Sequence, residues 1–522
     1  MTKTNRSLRL LWLWKKSLLL LLLLPNFCST QTIIKNLPGF SGDLPFKLET
    51  GYVGVGNKDE LQLFYYFIES ERSPENDPLL LWITGGPRCS SFSGLVYENG
   101  PIPFSLTSIT KDPVELVLNP YSWAKVRNFQ LRLWLCDRLM HMVMPRLASP
   151  FRYRIKFQAK SYACPISFSF TSITKHPVEL VLNPYSWTKL ANIIFLDAPA
   201  GTGFSYSTTT DGYNTSDTIH AKRASEFLQR WLLTHPKFLA NPLYISGDSY
   251  SGKIVPIIVQ EITNGIEAGI GPSLNLEGYI IGNPVTNRKE ELNSQIEYAH
   301  RMALISTRMF ESTKRNCKGD YVDVDPNNEL CLINLQAFEE CISRLEVSHI
   351  LTPACAPGID DDNFLSFPFP EQLCRVERQR YSEVWANDMN VPKALNIRKG
   401  TKAEWARCNS SIPYIKDVRS SVDYHRNLMQ KTLRAFVYSG DHDLKVPHIS
   451  TEAWIESLSL PIVDDWKPWF SNNQVAGYRV GYSNGEYHLT YATIKGGGHT
   501  GPEFNPRESF DMIERWLEHS PL

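Results

Sequence analysis

The hexapeptide Gly247-Asp248-Ser249-Tyr250-Ser251-Gly252 follows directly on the apolar run Pro242-Leu243-Tyr244-Ile245. This order sets a serine on a glycine-flanked turn between a strand and a helix, the geometry that exposes a nucleophilic hydroxyl beside the free N–H groups of a helix start. The strand is expected to end at Gly247 and the helix to begin near Gly252, because a Cβ at either flank collides with the neighbouring turn. The second glycine of G-x-S-x-G is displaced by one place, to Gly252. Taken alone, the stretch also reads as an ordinary serine-rich turn.

Two later segments supply partners in the order serine, acid, histidine. Ala435-Phe436-Val437-Tyr438-Ser439 runs into the polar turn Gly440-Asp441-His442-Asp443, and Tyr491-Ala492-Thr493-Ile494-Lys495 ends in Gly496-Gly497-Gly498-His499. His499 is the candidate general base, and a carboxylate would hold its tautomer and stabilise the imidazolium. Asp443 is chosen as that acid, because Asp441 abuts the strand end, where its side chain is placed to cap the turn. Singly, each of these reads as a solvated loop residue. Together, at three strand ends and in this order, Ser249, Asp443 and His499 read as a catalytic triad. An oxyanion hole needs two N–H donors, and the glycines after the apolar run Leu79 to Ile83 can bring one. Gly86 and Tyr250 are the candidates, where losing one donor raises the barrier by about 2.7–4 kcal/mol.

Positioning these turns requires a sheet. Buried strands near Leu79–Thr84, Ile193–Asp197, Leu243–Ser246, Gly278–Gly282, Ala435–Ser439 and Tyr491–Lys495 alternate with helical stretches such as Thr218–Thr234 and Glu503–Glu518. That alternation predicts an α/β fold with a mostly parallel sheet and helices on both faces. From about 285 to 387 the pattern turns helical, cysteine-containing and loop-rich, and is expected to form an inserted cap over the site.

These motifs resemble those of plant serine carboxypeptidase-like proteins, from about Ile33 to the C-terminus apart from one insertion. The carriers are Gly85-Gly86-Pro87-Arg88-Cys89-Ser90-Ser91, Tyr97-Glu98-Asn99-Gly100-Pro101, Asn183-Pro184-Tyr185-Ser186-Trp187 and the run from Asp197 to Ser207, together with the three catalytic turns. The resemblance implies an α/β-hydrolase fold and an acyl-enzyme mechanism, in which Ser249 attacks an ester or peptide carbonyl and the acyl group passes to water or an alcohol. It implies a carboxyl pair, Glu98 and Asp248, that with Gly85 grips the substrate's terminal carboxylate. Peptidase members have glutamate where this chain has Asp248, and the elbow is closer to acyltransferases that use glucose esters of phenolic acids. Release of C-terminal residues from peptides and glucose-ester acyl transfer are therefore the competing activities. The plainer reading of Glu98 and Asp248 is a helix-terminus cap and a surface acid. Arg88 stands where the family has glycine, so an inactive relative is the alternative of another class. The resemblance also implies the disulfides Cys89–Cys408, Cys317–Cys331 and Cys355–Cys374, leaving Cys136, Cys164 and Cys341.

Composition fits one large domain spanning 31–522: 522 residues, 42% hydrophobic, with 54 basic and 54 acidic side chains. Zero net charge argues against a nucleic-acid partner, and the resemblance implies a small-molecule ester or a peptide as the substrate. No cofactor or metal is called for, since the cysteines form no Cys-x-x-Cys pair and no histidine cluster accompanies them. No feature of the chain specifies an oligomeric state. Residues 1–30 carry Lys15 and Lys16 before a leucine run and a small-residue stretch, and read as a secretory signal peptide, with a signal anchor as the runner-up. The expected location is secreted or vacuolar, with no membrane span once the signal is removed, and Asn214 and Asn409 are glycosylation acceptors.

An internal duplication interrupts the resemblance at about 101–164. Pro101 to Val126 recurs nearly residue for residue as Pro165 to Leu190, an offset of 64 from Pro101 to Pro165. The intervening Arg127–Cys164 stretch is basic and also reads as a membrane-binding segment, but Pro145 and Pro150 break any long helix. Only the second copy is expected to occupy the native position, because it alone runs on into the apolar strand at Ile193.

Overall fold

Alternating side chains along short apolar runs build one twelve-stranded sheet. The computed structural model describes residues 31–105, 115–118, 166–169, 178–355, 374–401 and 404–522. The strands are β1 (Thr32–Ile34), β2 (Leu48–Val55), β3 (Leu61–Ile68), β4 (Leu79–Ile83), β5 (Asn192–Leu196), β6 (Leu243–Asp248), β7 (Leu276–Gly282), β8 (Arg434–Gly440), β9 (Ile462–Ser471), β10 (Gln474–Ser483) and β11 (His488–Ile494). Tyr206–Ser207 adds a short strand on β3. Their spatial order is β1-β2-β3-β5-β4-β6-β7-β8-β11-β10-β9. From β5 to β11 every neighbouring pair is parallel. Antiparallel strands extend both edges.

The sheet is covered on both faces because the pleat sends successive residues to opposite sides. On β4, Leu79, Leu81 and Ile83 join one apolar cluster, while Leu80 and Trp82 join the other. Helices α1 (Asp217–Thr234) and α2 (Ser251–Glu267) close the first cluster through Phe227, Trp231, Ile254 and Ile258. A C-terminal helix, Pro506–Leu517, closes the second through Met512, Ile513 and Trp516. The last helical stretch is broken before Pro506, because proline takes the first position of a new helix more readily than it continues an old one.

Between β7 and β8 the chain leaves the sheet for α3 (Arg288–Arg301), α4 (Thr307–Cys317), α5 (Glu329–Ile342) and α6 (Arg375–Ala386). Ile296, Tyr298, Ile305, Phe338 and Ile342 form a third apolar cluster there, joined to the sheet end by Leu444. Disulfides Cys317–Cys331 and Cys355–Cys374 lie in this region, and Cys89–Cys408 ties the turn after β4 to the chain before β8. Cys341 is free and exposed. Cys136 and Cys164 lie outside the described residues, as do residues 1–30. No helix among the described residues is long and apolar enough to cross a membrane.

The duplication is placed differently from the sequence expectation. The core takes the start of the first copy, with Ile102 fully buried and Phe104 nearly so, and the end of the second, from Val178 through the buried Leu180 and Trp187. The two halves meet at the bridge Phe104↔Leu180. The leftover halves also pair: Glu115–Leu118 runs antiparallel to Ile166–Ser169 with Leu116 opposite Phe168. Phe168 and Leu116 are the repeat equivalents of Phe104 and Leu180, so one hairpin pairing is made twice, each time between copies. Competition between copies is resolved by exchange rather than by exclusion of one of them.

Candidate active site

Ser249, Asp443 and His499 sit at the C-terminal ends of three parallel strands, where an open α/β sheet exposes its loops. Ser249 has φ 55, a left-handed conformation that costs a non-glycine residue on the order of 1–3 kcal/mol. Flanking bonds hold it there: Ser249 N donates to Gly282 O at 2.8 Å, and Ser249 O accepts from Val285 N at 2.8 Å and Gly252 N at 3.0 Å. The displaced glycine is also explained. A Cβ on Gly252 would lie 2.4 Å from Pro284 Cβ, so the close approach falls in the first turn of α2, which begins at Ser251.

The three side chains form one hydrogen-bonded chain. Ser249 Oγ lies 2.7 Å from His499 Nε2, and His499 Nδ1 lies 2.7 Å from Asp443 Oδ2. Asp443 is fully buried, and its remaining acceptor positions are filled by Lys445 N at 2.8 Å, Val446 N at 3.2 Å and Asn283 Nδ2 at 2.9 Å. With four donors around it, this carboxylate favours a His499 tautomer protonated at Nδ1, leaving Nε2 free to accept the Ser249 proton. Asp441 does not reach His499. Its Oδ1 accepts from Gly496 N at 2.7 Å and from His442 Nδ1 at 2.6 Å, so it pins the acid loop to the histidine loop instead of capping its own turn.

Gly85 and Gly86 bring the turn after β4 against the elbow. A Cβ on Gly85 would lie 2.6 Å from Tyr250 N and 2.7 Å from Ser249 Cβ. Among the described residues neither Gly86 N nor Tyr250 N donates to another protein atom, so both N–H groups are available to a ligand oxygen. The phenol of Tyr250 is anchored away from the site: it donates to the buried Asp217 at 2.9 Å.

Arg88 adopts φ 73, as a glycine position would, and its side chain is held by the chain after Cys408. Nη1 donates to Ile412 O at 2.8 Å and Ser410 O at 3.0 Å, beyond the disulfide Cys89–Cys408.

Glu98 and Asp248 are both buried, at 7% and 4% exposure, which excludes the surface-acid reading. Asp248 Oδ1 accepts from Gly85 N at 3.1 Å, whereas Glu98 Oε2 has no partner among the described residues. Burial, and then the charge of Asp248, raise the Glu98 carboxyl well above its usual range. Burial raises Asp248 as well, against the opposing charge of His499. The nearby Arg375 is paired with Glu503 at 2.8 Å rather than with either of them.

Sequence reasoning missed Asn283 and Asp217, which act through contacts distant in the chain. The signal for Asn283 was Gly282-Asn283-Pro284 at the end of a buried strand. Of the glycosylation candidates, Asn214 is exposed, while Asn409 is half-buried with Nδ2 donating to Gly201 O at 3.0 Å.

Similarity to known proteins decides the kinship of this chain. The serine carboxypeptidase family model matches residues 38–130 and 168–519. The chain belongs to the serine carboxypeptidase family. It is 42% identical over 510 residues to serine carboxypeptidase-like 7 of Arabidopsis thaliana, covering 97% of this chain and 98% of that protein. It is 43% identical over 511 residues to serine carboxypeptidase-like 17 of the same plant, covering 98% of each. In fold it is similar to a prohormone-processing carboxypeptidase of Saccharomyces cerevisiae, Kex1(delta)p, with TM-score 0.62, 17% identity and 91% of each chain covered. An α/β-hydrolase enzyme of the serine carboxypeptidase family therefore carries the Ser249 elbow. The gap in the family match, 131–167, falls inside the duplicated region.

Proposed function

We propose that this serine carboxypeptidase family member is an acyl-enzyme catalyst that releases C-terminal residues from peptides. The observation that supports it is the hydrogen-bonded chain Ser249–His499–Asp443, with Ser249 held at positive φ. In this reading His499 Nε2 accepts the Ser249 proton as Oγ bonds to the scissile carbonyl carbon, and the carbonyl π pair moves onto oxygen. The N–H groups of Gly86 and Tyr250 receive that oxyanion. His499 returns the proton to the departing amine, and the acyl group stays on Ser249. A water then gives its proton to His499, attacks the ester and frees the acid, restoring Ser249. Glu98 and Asp248 share a proton and hold the terminal carboxylate of the substrate, beside Gly85.

A second reading is acyl transfer from a 1-O-acyl glucose ester of a phenolic acid to an alcohol. Asp248 favours it, because a carboxyl one methylene shorter than glutamate is drawn back to Gly85 N and reaches less far toward a substrate carboxylate. Entry into the secretory route, through a signal in residues 1–30, to a secreted or vacuolar location accords with the three disulfides.

Purified full-length protein is assayed side by side with an N-blocked dipeptide and with a phenolic glucose ester plus an alcohol acceptor. Turnover of the dipeptide with loss in Ser249→Ala supports the first reading, and turnover of the glucose ester alone supports the second. A protein whose Ser249 is not labelled by an active-site phosphonate would be an inactive relative.

A further inference from the structure

Beyond α5 the helical insertion sends a short segment, Val347–Leu351, back to the end of the sheet. Five of its hydrogen bonds go to the two loops that carry Asp443 and His499. Val347 O accepts from Leu444 N and Lys445 N, each at 3.0 Å, and Ile350 N donates to His442 O at 3.1 Å. Ser348 O accepts from the backbone N–H of His499 itself at 2.7 Å. The fifth bond is from a side chain, His349 Nε2 to Gly496 O, at 3.0 Å. The fit is close enough that a Cβ on Gly498 would lie 2.6 Å from Ser348 O and 2.8 Å from His349 Cβ.

The ring of His349 has one assigned tautomer. Leu351 N donates to Nδ1 at 3.3 Å, so Nε2 carries the hydrogen given to Gly496 O. One face of the ring meets Phe504 at 4.5 Å between centroids, and His442 stacks at 5.8 Å. Four of the five bonds are made by backbone and do not depend on the side chain at position 349. Within Val347–Leu351, His349 is therefore the residue whose side chain joins the segment to the histidine loop, three residues from His499, while from α6 Arg375 Nη2 donates to Thr500 Oγ1 at 3.1 Å.

We propose that His349 is a positioning residue for the reaction: through it the Val347–Leu351 segment sets the position of the Gly496–His499 turn, so that seating of the insertion and placement of the base are one event. The proposal rests on the acyl-enzyme reading above. Because His499 must meet both Ser249 Oγ and Asp443, a displacement of about 1 Å in its turn lowers the rate by up to about a hundredfold.

The test compares two amides in the full-length enzyme. His349→Gln keeps an N–H that reaches Gly496 O, and His349→Asn does not. Four quantities are measured: kcat and KM on the substrate turned over, the rate of phosphonate labelling of Ser249, and hydrogen exchange of the His499 amide. His349→Asn is expected to lower kcat and the labelling rate on the order of ten- to a hundredfold, with KM within about twofold and faster exchange at His499. His349→Gln is expected to retain most of both rates. Equal kcat in the two variants, a loss confined to KM, or unchanged exchange overturns the proposal. If His349→Asn does not accumulate, His349→Phe takes its place with the same expectations, because its ring keeps the contact with Phe504. Ser249→Ala separates the two levels of argument. If it is inactive while Asn and Gln behave alike, only the positioning role falls; if it stays active, the acyl-enzyme reading and this proposal both fall.

Discussion

Glu98 and Asp248 lie buried together, and among the described residues no cation is hydrogen-bonded to either, so the pair holds a proton at a pH where ordinary carboxyls have lost theirs. A grip on a substrate carboxylate needs that proton. Both carboxyls are raised in the folded state, so KM for a substrate with a free carboxylate rises as pH climbs toward neutral. A substrate lacking the carboxylate shows no such rise. Like pH profiles of KM for the two substrates would remove the clamp.

The same shifts affect stability with a defined sign. A carboxyl raised by folding contributes stability that is complete below its unfolded value and lost as pH rises through the folded one. Tm should therefore fall from mild acid toward neutral, and Glu98→Gln should flatten that fall. Glu291 is the control: burial pushes it up to about 7, while its Oε1 accepts from the backbone Thr286 N and Asn287 N. Glu291→Gln should change the Tm slope and leave the KM profile alone.

Ser249→Ala, His499→Ala and Asp443→Asn should each lower turnover by orders of magnitude, and in combination little further, because they act as one unit. Asp441→Asn should behave differently. Its carboxylate joins two loops without touching His499, so the expected loss is about 1–3 kcal/mol of stability with turnover largely kept. Turnover assays and melting curves on the four variants decide it; activity lost in Asp441→Asn and kept in Asp443→Asn would reverse the assignment of the acid.

Arg88 sets backbone strain against side-chain bonding. Glycine would relieve about 1–2 kcal/mol of left-handed strain but forfeit the bonds to Ser410 O and Ile412 O, which are of similar size. Arg88→Gly should therefore melt near the parent, and Arg88→Ala, which keeps the strain and loses the bonds, about 1–3 kcal/mol lower. Turnover should change little in either. Equal melting of the two variants would mean that the backbone there is unstrained.

Much of the site was legible because Ser249, Asp443 and His499 each follow a buried strand within five residues, so local pattern and chain order carried the information. Antiparallel β2 and β3 and the β9–β10 hairpin were not anticipated. The run Leu61 to Ile68 is apolar on both faces and has no alternation to show, and β9 is an exposed edge with little apolar pattern. Asn283, Asp217 and His349 matter only through partners distant in sequence, which no local spacing reveals. The Glu98–Asp248 pair, 150 positions apart, was reached by resemblance alone.

Removing Val114–Pro177 joins Pro113 to Val178 in repeat register and leaves Phe104 opposite Leu180 through a connection of single-copy length. The shortened protein is expected to keep its activity and to match or exceed the full chain in soluble yield and Tm. Loss of an activity that the full chain possesses would show the removed stretch to be functional.

That exchange of halves also sets the thermodynamic weight of the extra chain. Phe104 and Leu180 form the neck of a loop roughly six times longer than the one between Phe104 and Leu116 that a single copy would close. Closure entropy grows only with the logarithm of length, so the surplus costs about 1.6 kcal/mol. Fewer than two kilocalories separate the long-looped chain from a single-copy one on this account, which is how a gene can carry a partial duplication through a core hairpin and still encode a foldable enzyme.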